Sequence, residues 1–250
     1  MVSRTPPSVS VVIPTYNREK SAIVAATSAL NQTTSPFEVI VVDDASMSFY
    51  RTLPKMAGIT YIRLDKNRGA NACRNAGIQI AKGDLVAFLD DDDEWLPQKI
   101  EKQLQQLDDT GRQILYTGRT IQSRNGARYT FRTSSFPRIA IQVGNFIGST
   151  SSVMVSRELL EHAAGFDGAL SSRQDWDLYY RLIIEHDAIP AGCNEALVLY
   201  SDVEGGRIST NWRKILSASG YLAKKYGPKL FPLAVLVDAI KNLTKMALFR

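Results

Sequence analysis

Cysteine and histidine are scarce in this chain of 250 residues. The two cysteines, Cys73 and Cys193, lie far apart and form no Cys-x-x-Cys pair. We therefore expect two buried thiols in a reducing compartment and no disulfide framework. The two histidines, His162 and His186, are too few for a zinc site to be expected.

Long apolar runs are also missing. No stretch reaches the roughly 18 apolar residues that a membrane-spanning helix needs. The basic residue near the N-terminus is not followed by the apolar run of a signal peptide. The sequence therefore predicts a cytoplasmic protein.

Several catalytic motifs are absent as well. The chain contains no GxxxxGKS or GxxxxGKT loop, no GxGxxG turn, no HExxH pair and no GxSxG elbow. These absences count against phosphoryl transfer by a P-loop and hydride transfer by a standard Rossmann enzyme. They also count against zinc proteolysis and α/β-hydrolase chemistry.

Composition and charge are those of a globular protein with a basic balance. Hydrophobic residues make up 44% and charged residues 22% of the chain, close to the globular average. The net charge of +5 and the pI near 9.2 are compatible with nucleic acid, anionic membrane or phosphorylated substrates. Charge alone does not choose among these partners.

Strand-like and helix-like patterns alternate in the first half of the chain. Continuous apolar strands between amphipathic helices are typical of a mostly parallel sheet that is covered on both faces. The predicted strands are Val9–Ile13, stopped by Pro14, then Phe37–Val42, Ile59–Leu64 and Leu85–Leu89. The predicted helices are Glu19–Asn31, Gly69–Lys82 with Ala72, Ala76 and Ile80 on one face, and Leu96–Leu107.

The pattern changes after about residue 110. We predict strands at Ile114–Thr117, Thr120–Ser123, Arg128–Phe131 and Ser151–Val155, a hairpin turn at Asn125–Gly126, a helix at Trp176–Glu185 and a helical tail from Trp212. The organisation that follows is one α/β domain over 1–210, with halves of about 8–110 and about 111–210, and a C-terminal helical extension over 211–250.

Polar clusters follow three of the predicted strands. Pro14–Asn17, Asp43–Asp44 and Asp90–Asp93 each stand at a strand end. Ligands of open α/β sheets bind outside the carboxyl ends of the strands, so three such clusters together predict a site there.

The acidic run is the strongest of these clusters. Adjacent carboxylates repel one another unless a cation or solvent neutralises them, and Mg²⁺ or Mn²⁺ prefers such oxygen ligands. Side chains alternate along a strand, so Asp90 and Asp92 are expected to face the same side. The alternative is an acidic front end that favours the following helix through its dipole.

Asp43–Asp44 and the nearby arginines offer a second set of contacts. An acid here can accept hydrogen bonds from a ribose or a base, or it can merely form a turn with Ser46. Arg68 and Arg74 lie around a helix start at Gly69, where a phosphate would be favoured, although surface arginines are an equally simple interpretation.

Two further candidates lie in the second half. Asp175 is a candidate general base, and the alternative is that Asp175 and Asp177 only cap their helix. Arg207, in the loop 205–209, can close over a diphosphate or belong to an ordinary exposed loop.

Five segments, in this order, resemble the family 2 glycosyltransferases of the GT-A fold, over about residues 8–210. They are Val11–Arg18, Val41–Ser46, Asn67–Gly69 with Cys73–Gly77, Phe88–Trp95, and Gln174–Asp177 with Arg181. The resemblance implies a GT-A type single α/β domain with a mostly parallel nucleotide-binding sheet, a mixed acceptor-side half and C-terminal helices.

The resemblance also implies roles for individual residues. Asp92 and Asp90 match the DxD motif that holds Mn²⁺ or Mg²⁺, and Asp175 matches the base that deprotonates the acceptor hydroxyl. The residues expected to bind the UDP- or dTDP-sugar donor are Pro14, Thr15, Tyr16, Asp44, Arg74, Asp90, Asp91 and Arg207. The implied reaction is inverting transfer of one sugar to a hydroxyl of a glycan or lipid-linked acceptor, in cell-surface polysaccharide biosynthesis, with no nucleic-acid partner.

Two departures from the family pattern qualify this expectation. Gln174 stands where many members have Glu, and the QxxRW motif and membrane helices of processive synthases are absent, which favours single-sugar transfer. The alternatives are a non-catalytic nucleotide-sugar-binding module, a phosphorelay receiver domain, which has no use for the second half, and a nucleotidyltransferase, which would need a glycine-rich, lysine-bearing loop.

The basic tail raises a separate question. Leu230, Leu233, Val237 and Ile240 fall on one helical stripe, with Lys229, Lys241 and Lys245 available to meet anionic lipid. The sequence is thus compatible with peripheral contact at the inner face of the membrane, and equally with a core-packing helix that has a solvated basic face.

Overall fold

A computed structural model describes residues 6–122, 128–201 and 212–227 of the protein. These residues form a nine-stranded mixed sheet with apolar layers on both faces. The strands are β1 Val9–Thr15, β2 Glu38–Asp43, β3 Ile59–Arg63, β4 Leu85–Phe88, β5 Asp93–Trp95, β6 Gln113–Gln122, β7 Arg128–Phe131, β8 Val153–Ser156 and β9 Ile189–Ser201. The helices are α1 Glu19–Leu30, α2 Ala70–Ile80, α3 Lys99–Leu104, α4 Arg157–His162, α5 Gln174–Tyr180 and α6 Trp212–Tyr226, with 3₁₀ turns at Leu53–Lys55, Arg138–Gln142 and Thr150–Ser152 and a π-helical turn at Arg181–Glu185.

The first four strands lie parallel in the order β3-β2-β1-β4. Their apolar residues alternate between two cores, so that Val12 faces one layer while Val11 and Ile13 face the other. Burial on both faces explains why β1, β2 and β4 are mostly apolar, whereas the edge strand β3 has no fully buried residue. The predicted strands, the parallel arrangement and the covered faces are confirmed.

Pro14 does not stop β1, contrary to the prediction. The strand continues to Thr15, and Pro14 pairs with Val42 of β2. Pairing of β1 with β4 ends at Val12, so the missing N–H of Pro14 falls where β4 has already ended. The proline is therefore tolerated within the strand.

The α2 helix is present, but the face on which Ala72, Ala76 and Ile80 are aligned is not its most buried one. Ile80 is 38% exposed, whereas Cys73, Gly77 and Ile78 are buried. Gly77 stands so close to β1 that an added Cβ would lie 2.9 Å from Cγ2 of Val12 and closer still to its Cγ1. The alignment followed alanine and isoleucine spacing, while the buried residues also include small and polar side chains.

The segment after the acidic run also departs from the prediction. Asp93–Trp95 is strand β5, which pairs with β9, and the helix that follows spans only Lys99–Leu104 and not Leu96–Leu107. The acidic run is therefore not the front end of a helix, and that alternative is wrong. Pairing with a distant strand has overridden the local helical pattern.

The second half completes the sheet in the order β4-β8-β6-β9-β5. β6 is one strand where two were predicted, with an irregular register around Gly118, and β7 returns beside it as predicted. β9 and α4 were not predicted, and the predicted helix Trp176–Glu185 is α5 followed by the π-helical turn. The predicted turn at Asn125–Gly126 and the tail beyond residue 227 lie outside the described residues.

Candidate active site

A cavity of about 610 Å³ opens at the carboxyl ends of β1, β2 and β4. Nine of the predicted site residues line it: Pro14, Thr15, Tyr16, Asp44, Arg74, Asp90, Asp91, Asp92 and Asp175. Arg207 lies outside the described residues. The topology thus brings together side chains that are up to 161 positions apart in the sequence, from Pro14 to Asp175.

Asp44 is held at the start of α2. Its two carboxylate oxygens accept hydrogen bonds from the backbone N–H groups of Arg68 and Gly69, each at 2.7 Å. Gly69 has φ of +86°, a conformation that glycine adopts without strain. The turn with Ser46 is made by Asp43, whose Oδ1 accepts from the Ser46 backbone at 2.9 Å. Asp44 therefore keeps unused lone pairs at the cavity wall.

Arg74 is a buried cation that faces the acidic run. It is 4% exposed, and its Nη2 donates to Asp90 Oδ1 at 2.5 Å. Burial lowers the pKa of Arg74, but the charge and hydrogen bond of Asp90, together with the charge of Asp175, outweigh burial and raise this pKa. The hydroxyl of Thr150 also lies 3.2 Å from both carboxylate oxygens of Asp90. The side chain of Asp90 is thus held in place by one cation and one hydroxyl.

The four acids of the run differ in environment. The side chains of Asp90 and Asp92 are 27% and 48% exposed, against 10% for Asp91. Asp93 is buried and accepts from Ser151 Oγ at 2.5 Å. Asp90 and Asp92 are therefore more accessible than Asp91 and Asp93, although residues 90–92 lie in a turn between β4 and β5 and not on a strand.

Arg18 bridges two of these acids from the start of α1. Its Nη1 lies 3.2 Å from Asp91 Oδ1 and 3.1 Å from Asp92 Oδ2. Burial raises the pKa of Asp91 to about 6, and the hydrogen bond from Thr15 and the charge of Arg18 oppose that shift. Burial and the charge of Asp90 raise the pKa of Asp92 as well. The run therefore favours a cation, and Arg18 supplies a positive charge.

Asp175 lines the same cavity from the first turn of α5. Its Oδ2 accepts from Asn145 Nδ2 at 2.8 Å, and the same amide group donates to the carbonyl of Gly148 at 2.9 Å. Arg173, just before α5, has φ of +60°, a strained conformation for a residue other than glycine. The side chain of Asp175 is thus oriented by a neighbouring amide, which helix capping alone does not explain.

The sequence did not identify several residues around this cavity. Arg18 belongs to the first family-like segment but was given no role, and Ser149, Thr150 and Asn145 belong to no readable motif. Tyr200 reaches the cavity from β9, which was itself not predicted. Only the family-like segment of Arg18 offered a signal.

A metal ion would need ligands from its substrate as well as from the protein. Within the described ranges, no three Asp, Glu, His or Cys side chains are grouped so as to hold a metal by themselves. Mg²⁺ and similar ions are commonly bound by one or two carboxylates together with substrate phosphates. The pair Asp90 and Asp92 fits that pattern.

Both cysteines are free and buried, as expected. Burial raises the pKa of both thiols, so neither is poised as a nucleophile. No helix among the described residues is both long and apolar enough to cross a membrane.

Sequence relatives share most of the chain. An uncharacterized glycosyltransferase of Haemophilus influenzae is 30% identical over 226 residues, which are 87% of this chain and 76% of that protein. The putative colanic acid biosynthesis glycosyl transferase WcaA of Escherichia coli is 34% identical over 195 residues, which are 72% of this chain and 67% of WcaA.

A solved structure shares the fold. S. aureus TarS 1-349 in complex with UDP-GlcNAc superposes with a TM-score of 0.63 at 20% identity, over 86% of this chain and 66% of that one. The likeness confirms the expected GT-A fold.

A family model agrees with both comparisons. The model described as glycosyl transferase family 2 matches residues 10–164, which include β1, the acidic run and β8. This chain is a member of glycosyl transferase family 2.

Proposed function

We propose that the protein transfers a single sugar, with inversion, from a UDP- or dTDP-sugar to a hydroxyl of a glycan or lipid-linked acceptor. The observation that carries the proposal is that one cavity gathers two kinds of groups. It is lined by the cations and acids Arg18, Arg74, Asp90 and Asp92, and also by an oriented carboxylate, Asp175. A donor diphosphate suits the first group, and an acceptor hydroxyl suits the carboxylate.

The nucleotide-sugar donor is the part of the proposal that the structural comparison supports best. The structure of TarS 1-349 that resembles this fold holds UDP-GlcNAc. In this protein we expect the uracil or thymine ring of the donor to lie between Tyr16 and Asp44. The ring of Tyr16 is 39% exposed, and Asp44 can still accept hydrogen bonds at the cavity wall. Arg74 and Arg18 are expected near the ribose and the diphosphate, where their charges are complementary.

Asp92 and Asp90 would hold a divalent cation, Mn²⁺ or Mg²⁺, together with the donor's phosphate oxygens. The acidic run fits such an ion, because burial and the charges of neighbouring acids raise the pKa values of Asp91 and Asp92 and so disfavour their ionised forms unless a cation is near. When bound, the ion supplies charge neutralisation at the departing diphosphate. Arg18 is the protein group that shares this task from the side of α1.

Asp175 is proposed as the general base. It takes the proton of the acceptor hydroxyl while that oxygen forms a bond to the anomeric carbon. The bond from this carbon to the diphosphate oxygen breaks, and its electron pair leaves with the nucleoside diphosphate. Attack from the side opposite the leaving group inverts the configuration. Asn145 holds the carboxylate by a hydrogen bond of 2.8 Å, which keeps one oxygen oriented.

The biological setting is proposed at the level of a class. WcaA carries a name in colanic acid biosynthesis, and a role in cell-surface polysaccharide assembly is therefore proposed for this chain. Peripheral contact at the inner face of the membrane is proposed from the basic tail alone, since residues 228–250 lie outside the described part. Liposome co-sedimentation that is unchanged after deletion of residues 229–250 would refute that contact.

Calorimetric titration with UDP and with dTDP, with and without Mn²⁺, tests the donor site. We expect Mn²⁺ to strengthen binding to the wild type at least about tenfold, which corresponds to about 1.4 kcal/mol. Asp92→Asn should lose that gain, while Asp109→Asn, a change of an exposed acid in the loop after α3, should keep it. If neither nucleotide binds in the presence of Mn²⁺, the proposed function is wrong.

The base is tested separately with a panel of UDP- and dTDP-sugars and release of the nucleotide as the readout. Asp175→Asn should keep nucleotide affinity but lower turnover by roughly 10²- to 10⁴-fold, the usual contribution of a general base. Normal turnover in this variant would remove Asp175 from the mechanism. Nucleotide binding without turnover in the wild type would instead favour the non-catalytic binding module.

A further inference from the structure

Asp177 is a fully buried carboxylate that the proposed reaction does not use. It is 0% exposed and lies on α5, two residues after Asp175. Its Oδ2 accepts from Nε and Nη2 of Arg181 at 3.0 and 2.9 Å. Its Oδ1 accepts from Lys225 Nζ at 2.8 Å and from the Tyr226 hydroxyl at 2.6 Å. Two of these donors come from α6, far along the chain.

Lys225 contacts a second carboxylate at the same time. Its Nζ lies 2.8 Å from Asp167 Oδ2, which also accepts from the hydroxyl of Tyr221 at 3.0 Å. These contacts lower the pKa of Asp167 although burial opposes them, and they raise the pKa of Lys225. One ammonium group of α6 therefore joins the loop at Asp167 to helix α5.

The loop at Asp167 is in turn joined to α2. Asn71 Nδ2 donates to the carbonyls of Asp167 and Leu170 at 3.1 and 2.9 Å. Asn75 both donates to and accepts from the backbone of Phe166, each at 2.8 Å. The same helix carries Arg74, which is paired with Asp90 in the cavity. The chain of contacts from Lys225 thus reaches two of the residues that are proposed to bind the donor.

Aromatic packing holds α6 against α5 along the same line. The ring of Tyr226 lies 4.4 Å from that of Tyr180 and 6.4 Å from that of Trp176, centroid to centroid. Trp176 directly follows Asp175. The docked end of α6 therefore rests on the helix that carries the proposed base.

We propose that α6 is a clamp that sets the position of the base helix α5 relative to the donor helix α2, with Lys225 as its positioning residue. The inference rests on the proposed function only for the role of Asp175 as the base. The contacts that join α6 to α5 and to α2 do not depend on that function. Donor binding at Arg74 and Asp90 is thereby coupled to the order of the segment that bears Asp175.

Charge balance separates this role from a general structural one. Asp177 keeps Arg181 as an ion-pair partner on its own helix when Lys225 is removed, so α5 retains its buried counter-ion. Asp167 keeps the Tyr221 hydroxyl. Arg181 also donates to the carbonyls of Ala163 and Gly165, and Tyr226 still donates to Asp177. Loss of the ammonium group should therefore loosen the connection between the two segments without unfolding the domain.

Hydrogen exchange of the backbone amides, followed by mass spectrometry on the full chain, tests the clamp. The variants are Lys225→Met, the conservative Lys225→Arg, and Lys224→Met as a control at the exposed neighbouring lysine. Without nucleotide, Lys225→Met should speed exchange over residues 174–180 about tenfold, since a hydrogen bond to a charged group contributes about 1.5 kcal/mol or more. Lys225→Arg should restore slow exchange, and Lys224→Met should leave it unchanged.

A second arm adds UDP with Mn²⁺ as the probe. In the wild type the probe should slow exchange over 174–180, and in Lys225→Met this protection should be lost although UDP affinity stays within about threefold, or about 0.7 kcal/mol. Equal exchange over 174–180 in Lys225→Met and Lys224→Met without nucleotide would overturn the clamp. If UDP fails to bind the wild type, the proposed function fails, whereas the nucleotide-free comparison still decides the clamp.

Discussion

Replacement of Gly77 by alanine should destabilise the protein, although alanine is the better helix former. Gly77 lies in α2, and an added Cβ would stand 2.9 Å from Cγ2 and 3.2 Å from Cβ of Val12. An ordinary contact begins near 3.4 Å, so the helix would have to withdraw by at least about 0.5 Å. Val12 has no room to yield, because it is 0% exposed and its branched side chain is restricted at χ1.

Gly220 is the matched control for this change. It lies within α6, and no heavy atom of the described residues stands within 4 Å of its Cβ position. Alanine in place of a helical glycine gains about 1 kcal/mol from helix propensity alone. Overpacking in a core costs about 1–3 kcal/mol. The gain in helix propensity is common to both sites, so Gly77→Ala should be less stable than Gly220→Ala by about 1–3 kcal/mol. When the overpacking cost exceeds the propensity gain, Gly77→Ala is less stable than the wild type, whereas Gly220→Ala is more stable.

Urea unfolding of the two variants and the wild type measures this difference. Because Arg74 lies one turn before Gly77 on the same helix, the withdrawal should also weaken the pairing of Arg74 with Asp90. UDP affinity should therefore fall in Gly77→Ala and stay unchanged in Gly220→Ala. If both variants are stabilised equally, α2 does not pack against β1 as closely as described here.

Two further predictions concern buried charges. Arg181→Met should cost about 3 kcal/mol or more in urea unfolding. Asp177 keeps Lys225, but this fully buried carboxylate loses its two bonds to the guanidinium, and the carbonyls of Ala163 and Gly165 lose their donor. Arg68→Met breaks an exposed pair with Asp65 and should cost less than about 1 kcal/mol; equal costs would contradict the burial of Asp177. Lys99→Met should become increasingly stable relative to the wild type as pH falls below about 10. Burial holds the pKa of Lys99 in the folded protein well below its usual value, so the unfolded wild type binds a proton that the folded wild type does not, and the wild type alone loses stability. A stability difference that does not change between about pH 9 and pH 6 would show that Lys99 stays charged in the folded protein.

The first four strands could be predicted from the sequence because local pattern and tertiary structure agree there. Strands β1, β2 and β4 are buried on both faces, so each is mostly apolar and is followed by polar residues where it leaves the sheet. These polar residues gather at one edge because parallel strands end on the same side. The candidate site residues at these strand ends therefore line one cavity, whereas Arg74 on α2 and Asp175 on α5 were expected there from the family resemblance.

Long-range pairing explains what local pattern could not predict. β9 contains a proline and a glycine and shows no clean alternation, yet it pairs with β6 over most of its length and with β5 at its end. A helix was predicted directly after Trp95, but Asp93–Trp95 forms strand β5, which pairs with β9 about 100 positions further along the chain. Asn145 likewise gains its role only through the fold, since nothing near it in sequence indicates a contact with Asp175.

The acidic run shows how four identical side chains acquire different properties from their surroundings. Asp93 points inward to Ser151, whose backbone carbonyl accepts the indole N–H of Trp95, so this end of the run anchors the loop. Asp91 is nearly buried, and burial raises its pKa to about 6 although the charge of Arg18 opposes that shift. Asp92 is the most exposed aspartate of the run, and it shares the same arginine. The family-like motif singled out Asp90 and Asp92, and these are also the two aspartates of the run that burial leaves accessible from the cavity, whereas Asp91 and Asp93 are buried.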